Sequence, residues 1–385
     1  MISKEYELLL LAIRSGDSQW HFTRAWELIT TSGFNWNILR DLAEHHAVRP
    51  QLYRLLSGDG LIELIPAEFI NGLQEACRKN LTDQLDNVRE FLKVSRSLDA
   101  EEITVVPFKG FRLAERYYGN LAARESSDND LFVHFSDLPA IGKVMSATGY
   151  RVGAPYLEKP DPNDCEYSYG LFSGGRCISF TDFHWRVAPA GFGLNITLRE
   201  LSPQILSAEI EGHPARVFSH TADMLLTVMH HGGKDAFTRL KQAGDIGMIL
   251  AYDEEADVRW MIAEAKKHGC LTLLAVSAML ASVMTGAAIP AWIRDLAGQK
   301  RIRQLTENRV RALSRPPGTR LSLRSQANDW IFRISSRDGL GVKAGLAWRF
   351  IRKVLLPWLV PKKLHHLFMR KYFIPDYARE AQAAN

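Results

Sequence analysis

Cysteine is scarce in this sequence, and what there is lies scattered. Cys77, Cys165, Cys177 and Cys270 form no CxxC pair. That excludes a zinc ribbon or a disulfide framework as the organising device, and a reducing cytoplasm is the expected setting. Long apolar runs are missing too: Leu8 to Ile13 and Val354 to Val360 fall far short of the roughly 20 residues that cross a bilayer. The first seven residues carry acids instead of the basic start and apolar stretch of a secretory signal. There is no internal repeat and no low-complexity tract.

What is present is ordinary globular material. The 385 residues are 46% hydrophobic and 24% charged, enough for two or three domains with cores. The net charge of +5 is unevenly placed, with much of the excess after Gly339. Residues 1–98 are expected to be helical. Apolar residues recur at helical spacing in Tyr6, Leu9, Leu10 and Ile13, in Trp36, Leu39, Leu42 and Ala43, and over a longer stretch from Pro66 to Leu98. From about 102 the period changes. Ile103 to Val106, Leu131 to Val133, Tyr167 to Phe172 and Cys177 to Trp185 are predicted strands, the last two joined by Ser173-Gly174-Gly175. Lys109 to Tyr118 and Leu138 to Thr148 are predicted helices between them. Helices are expected again at 221–231, 237–251, 258–268 and 271–284, with a break at Arg315-Pro316-Pro317-Gly318. The expected organisation is a helical region at 1–98, a small mixed α/β core at 99–195, a helical domain at 196–315 and an extension at 316–385. The fold class is α+β.

The chemistry concentrates in Arg124-Glu125-Ser126-Ser127-Asp128-Asn129-Asp130-Leu131. Aspartates one residue apart on a strand point to the same side of a sheet, so Asp128 and Asp130 converge. Like charges so placed repel unless a cation lies between them, and Mg²⁺ suits such an oxygen set while keeping phosphate oxygens in its shell. Asp182, in Phe180-Thr181-Asp182-Phe183-His184-Trp185, completes a two-ion site if its strand adjoins theirs. Phe108-Lys109-Gly110 falls at a strand-to-helix turn, where Gly110 permits close backbone approach and free N–H groups face phosphate. Lys109, Arg124, Ser127, His184 and Lys234 are further candidates for nucleotide contacts. Asp245 is expected to pair with Arg239 or a backbone group, and His45, His46, His365 and His366 are expected at the surface.

Taken together, Phe108-Lys109-Gly110, then Arg124-x-x-x-Asp128-x-Asp130-Leu131, then Asp182-x-His184-Trp185 resemble the bacterial uncharacterised nucleotidyltransferase family of the DNA polymerase β-like superfold. His231-Gly232-Gly233-Lys234, Arg239-Leu240 and Asp245 extend the likeness, which spans about residues 103 to 250. The resemblance implies a small mixed sheet flanked by N-terminal and C-terminal helical regions. It implies that Asp128 and Asp130 bind metal and triphosphate, and that Asp182 helps activate the attacking hydroxyl. Lys109-Gly110 stands where the superfold usually has Gly-Ser, a substitution typical of this family. Asn129, where an apolar residue is usual, and Asp235 and Phe237, where the family often has His and Trp, are departures.

The expected activity is Mg²⁺-dependent transfer of a nucleotidyl group from an NTP, ATP foremost, to a hydroxyl of a small molecule or peptide. Attack at the γ-phosphorus would make the same site a kinase. A toxin-like tRNA nucleotidyltransferase, or a non-catalytic nucleotide-binding or interaction protein, could be built on the same residues. Residues 343–373 combine lysines and arginines with aromatics and carry no acids. They fit either C-terminal helices packed on the core or a surface for RNA or an anionic membrane.

Overall fold

The computed structural model describes residues 2–14, 18–58, 60–153, 159–173, 176–252, 256–315 and 323–356. Four short helices come first: α1 (Lys4–Ile13), α2 (Ser18–Thr30), α3 (Trp36–His46) and α4 (Arg49–Leu56). The long α5 (Ala67–Asp99) then runs 33 residues, roughly 50 Å. Its second half presents Val88, Phe91, Val94 and Leu98 as an apolar stripe. Earlier turns carry Asn80, Gln84 and Asn87, all buried, and the side-chain amides of Asn80 and Gln84 serve the chain that leads into the site.

The sheet begins with β1 (Val106–Pro107), followed by α6 (Gly110–Tyr118), β2 (Asn129–Phe132), α7 (Leu138–Ala147), β3 (Tyr150–Val152), β4 (Glu166–Ser173) and β5 (Arg176–His184). Strand order is β1-β2-β5-β4-β3, with β2 and β5 parallel and the other pairs antiparallel. One face is apolar: Leu131, Phe183, Tyr167 and Tyr169 join the stripe of α5 and Ile141 and Met145 of α7 in one buried cluster. Each large side chain buried there is worth about 1.5–3 kcal/mol. Asn129 lies on this side, and the partner it needs is the Asn87 carbonyl, to which its amide donates at 3.0 Å. The expected strand at Ile103 to Val106 is shorter and later than its β-branched run suggests. Ile103 and Val105 are buried all the same.

After the short α8 (Leu198–Leu201) comes a hairpin that periodicity did not reveal, β6 (Ile205–Ile210) and β7 (His213–Phe218). The helices that follow are α9 (His220–Val228), α10 (Leu240–Ala251), α11 (Val258–Lys267), α12 (Leu271–Thr285), α13 (Ala291–Ala297), α14 (Lys300–Leu313), α15 (Leu323–Ser335) and α16 (Leu340–Phe350). The N-cap of α9 is Ser219, whose hydroxyl accepts from the Ala222 amide. α12 is the most apolar segment, uncharged over its 15 residues and buried nearly all round. It is longer than the apolar runs at Leu8 and Val354, yet it reaches only about 22 Å. Among the described residues no helix is long and apolar enough to cross a membrane. A second cluster joins Tyr6, Leu8 and Leu9 of α1 to Leu226, Leu274 and Phe332, so the N-terminal helices share a core with the C-terminal ones. His46 belongs inside, fully buried and accepting from the Leu240 amide, because α3 packs toward α10; it is not a surface residue. Of the basic tail, α16 packs Leu346 with Trp330 and Val354, while Trp348 is exposed. Residues 357–373 of that tail, His365 and His366, and the turn Gly174-Gly175 lie outside the described residues.

Candidate active site

The face of the sheet opposite α5 and α7 is polar. Asp130 on β2 stands beside Asp182 on β5, and His184 stands two residues further along β5 on the same side. Across β5, β4 pairs Ser168 with Asp182 and Glu166 with His184. The alternation that hides Leu131 and Phe183 therefore brings carboxylates from three strands onto one surface. Asp128 sits just before β2, where α5 fixes the approach. Asn80 donates to the carbonyls of Ala122 and Arg124, and Gln84 donates to that of Ser126.

The phosphate-type turn is strained. Lys109 has φ 60° and ψ −133°, a region that a residue with a Cβ rarely enters, and Gly110 has φ 45°. A Cβ on Gly110 would lie 3.3 Å from the Asp128 carbonyl, so the turn needs glycine for both reasons. The strained backbone aims Lys109 into the site. Its Nζ lies 3.0 Å from Asp130 Oδ1 and donates to His230 Nε2 at 2.9 Å. His230 must be unprotonated there to accept. Burial, and then the charges of Lys109 and Lys234, hold it well below the usual imidazole range. Asp130 Oδ1 also faces His184 Nε2 at 2.7 Å, which places a proton on that nitrogen. Burial opposes ionising Asp130, but the Lys109 charge and the His184 hydrogen bond outweigh it and keep the carboxyl below its ordinary range.

Asp182 and Asp128 are in the opposite condition. Burial, then Glu166, Asp128 and Asp130, push the Asp182 carboxyl well above its usual value. Burial and Asp130 push Asp128 up. Asp182 Oδ1 is buried with no hydrogen-bond partner among the described residues. Such an atom is costly unless a proton or cation meets it. Donor atoms of Asp130, Asp182 and His184 lie within 4.8 Å of one another; Asp128 stands outside that trio but acts on it through its charge. Hard carboxylate oxygens with an orphan among them fit a divalent cation of the Mg²⁺ type. Glu166 is an addition that the motifs did not indicate, although its two-residue spacing from Ser168 on a strand carried the signal. Its Oε2 is 2.7 Å from Lys234 Nζ.

Beside the acids opens a cleft of about 340 Å³. Lys109, Gly110, Ser126, Ser127, Asp128 and Asp130 form one wall, and His230, Asp235, Thr238, Arg239, Lys241 and Gln242 form the other. A π-helical segment, Met229–Lys234, brings His230 to the second wall, and such segments are frequent at functional sites. Gly232 is needed there, because a Cβ would come within 2.7 Å of Phe237 and 2.8 Å of Leu273.

The residues expected from sequence are thus distributed unevenly. Asp128, Asp130, Lys109, Gly110 and the exposed Ser127 line the cleft. Asp182 and His184 flank it on β5. Lys234 spans to Glu166. Arg124 borders the cleft, but its guanidinium is engaged. Nε and Nη2 donate to Asp245 at 2.8 and 2.9 Å, and Nη1 donates to the Gly110 carbonyl at 3.1 Å. The partner of Asp245 is therefore Arg124 and not Arg239. His231 Nε2 at 2.8 Å and the Tyr118 hydroxyl at 2.8 Å complete the pair's surroundings. His230, His231 and Asp235 also cluster at metal-ligand spacing. Lys109 and Asp245 already engage both rings.

The sequence model of the family described as "Uncharacterised nucleotidyltransferase" matches residues 32–286, so the likeness extends back through α3, α4 and α5. Among curated proteins none matches. Among solved structures, the crystal structure of ANT(2″)-Ia in complex with adenylyl-2″-tobramycin aligns over 47% of this chain and 95% of that chain, at 13% identity and a TM-score of 0.33. The mixed sheet, the flanking helices and the family match lead to one statement: the chain belongs to the uncharacterised nucleotidyltransferase family and is a transferase.

Proposed function

We propose that the chain transfers a nucleotidyl group from a nucleoside triphosphate to a hydroxyl of a small molecule, with Asp128, Asp130 and Asp182 holding Mg²⁺. The observation that carries the reading is the neighbouring pair Asp130 and Asp182, with one Asp182 oxygen buried and unpartnered. When bound, the metal would neutralise phosphate charge and lower the cost of bringing these carboxylates together. The turn at Gly110, opening α6, offers backbone N–H groups to the phosphates. Lys109 supplies positive charge beside them, and Ser127 a hydroxyl at the rim. His184 holds Asp130 in one orientation, leaving its second oxygen for metal. Lys234 restrains Glu166 and can turn toward phosphate when nucleotide enters. The acceptor oxygen bonds to the α-phosphorus, the bond from that phosphorus to the bridging oxygen breaks, pyrophosphate leaves, and the acceptor proton passes to Asp182. Arg124 acts through position, because its hydrogen bonds tie the helical wall at Asp245 to the turn at Gly110.

The test is mass spectrometry of hydroxyl-bearing acceptors incubated with each NTP and Mg²⁺. A gain of one nucleoside monophosphate is expected, and its rate should fall by roughly a hundredfold or more in Asp130→Asn. A gain of phosphate alone would replace nucleotidyl transfer by a kinase, and absence of any Mg²⁺-dependent nucleotide binding would defeat the enzyme reading of this site.

A further inference from the structure

A second cavity, about 460 Å³, adjoins the carboxylate cleft. Helices outside the sheet build most of it: Ile13 closes one side, α4 contributes Pro50 and Arg54, and α5 contributes Cys77 and Leu81. Lys241 lines both spaces and stands at their junction. The Lys241 ammonium donates to the Glu125 carbonyl at 3.0 Å, which fixes it there.

The charge of this cavity is one-sided. Its lining includes Arg54, Arg78 and Lys241 and no aspartate or glutamate. Among the described residues Arg54 has no carboxylate partner, and the contact of Arg78 with Glu75 is an exposed pair at 3.4 Å, worth little. The rest of the walls is mainly apolar, with Val48, Leu81, Ala122 and Met248, interrupted by Gln51, Gln74 and Asn120. Cys77 adds no reactivity, since burial pushes its thiol up to about 11.

The geometry points to this cavity as the acceptor site, and to an acceptor with an apolar body, a carboxylate at one end and a hydroxyl at the other. The carboxylate meets Arg54 and Arg78, the body lies on the apolar walls, and the hydroxyl passes Lys241 to the α-phosphorus. Polycationic acceptors are disfavoured, because nothing in the lining neutralises them. The assignment rests on the transfer reading above, and the transfer step and its atom balance are the ones given there.

The experiment uses the full chain and two probes of equal length, a medium-chain ω-hydroxy fatty acid and the corresponding ω-amino alcohol, titrated calorimetrically without nucleotide. The acid is expected to bind about tenfold tighter, the combined scale of its exposed charge contacts with Arg54 and Arg78 and of the repulsion these arginines exert on the amine. Arg54→Glu should erase or invert the preference. Leu81→Trp should abolish acid binding while melting like the wild type and still binding Mg²⁺ and ATP. Equal binding of the two probes, no binding of the acid, or an unchanged preference in Arg54→Glu overturns the proposal. The two readings fail separately. Acid binding without Mg²⁺-dependent ATP binding would sink the transfer reading alone, and ATP binding without charge preference would sink the cavity assignment alone.

Discussion

Two buried charged groups lie side by side in this molecule and are built on opposite plans. Around Asp245 every charge is answered: Arg124 grips both oxygens, and His231 and Tyr118 fill the remaining directions. Burial works against Asp245, yet Arg124 and His231 hold its carboxyl far below the ordinary range. Around Asp130 only part of the charge is answered. Lys109 and Lys234 pair with Asp130 and Glu166, whereas Asp128 and Asp182 have no ion pair among the described residues. A satisfied buried network locks two elements together. An undercompensated one is stable only if something outside the chain completes it. The first is read as architecture and the second as a place for metal and nucleotide.

That contrast can be broken or sharpened by substitution. The largest effect is expected at the satisfied network. Arg124→Ala strands Asp245 and should destabilise the fold by about 3–5 kcal/mol, measured by chemical denaturation. A loss near zero would show that the pair holds nothing. In the undercompensated group, Asp182→Asn should reduce nucleotidyl transfer by roughly a hundredfold to a thousandfold in kcat/KM while leaving the fold intact, whereas Asp130→Asn should lose activity and also stability, because it strands the buried Lys109. A sharper form concerns sign. Asp182→Asn removes a repelled, buried charge, so the metal-free protein should melt higher, by about 0.5–2 kcal/mol of added stability. A lower melting temperature would mean that Asp182 is already compensated.

The smallest effect is one of pH. Glu166 is resisted by burial but drawn down to about 2 by Lys234 and His184, below its ordinary 4.5. A folded-state value below the unfolded one means that the unfolded chain binds more protons in that window, so stability rises with pH across it. The contribution is present above about pH 4.5 and is lost as pH falls toward 2. In Glu166→Gln the stability–pH curve should be flatter there, and an unchanged slope would remove Lys234 as its partner in the folded state.

How much of this was legible in the sequence follows from the range of the interactions. The Asp-x-Asp motif and the third aspartate could be read because strand alternation is local and unambiguous, and the observed register sets Asp130 against Asp182. The helices read well where an apolar stripe repeats, as in α5, or where an uncharged apolar run is long, as in α12. Pairings across long separations could not be read. Asp245 had Arg239 close by in the chain, but the fold brings Arg124 to it over 121 residues. His46 is buried only because α10 arrives above it. The β6–β7 hairpin escaped because its strands are short and half exposed, and their apolar residues do not alternate cleanly. The π-helical segment at Met229–Lys234 has no simple sequence period, and its double glycine was the only local sign. The amides of Asn80, Gln84 and Asn87 interrupt an apolar stripe at helical spacing. That irregularity marked the helix that shapes the approach to β2.

Calorimetric titration of the full chain with ATP, with and without Mg²⁺, beside Asp182→Asn under the same conditions, bears most directly on the incomplete carboxylate group. Binding that requires Mg²⁺ in the wild type and is lost in a variant that melts no lower is the predicted result. ATP binding indifferent to Mg²⁺, or equally tight in Asp182→Asn, would contradict the account.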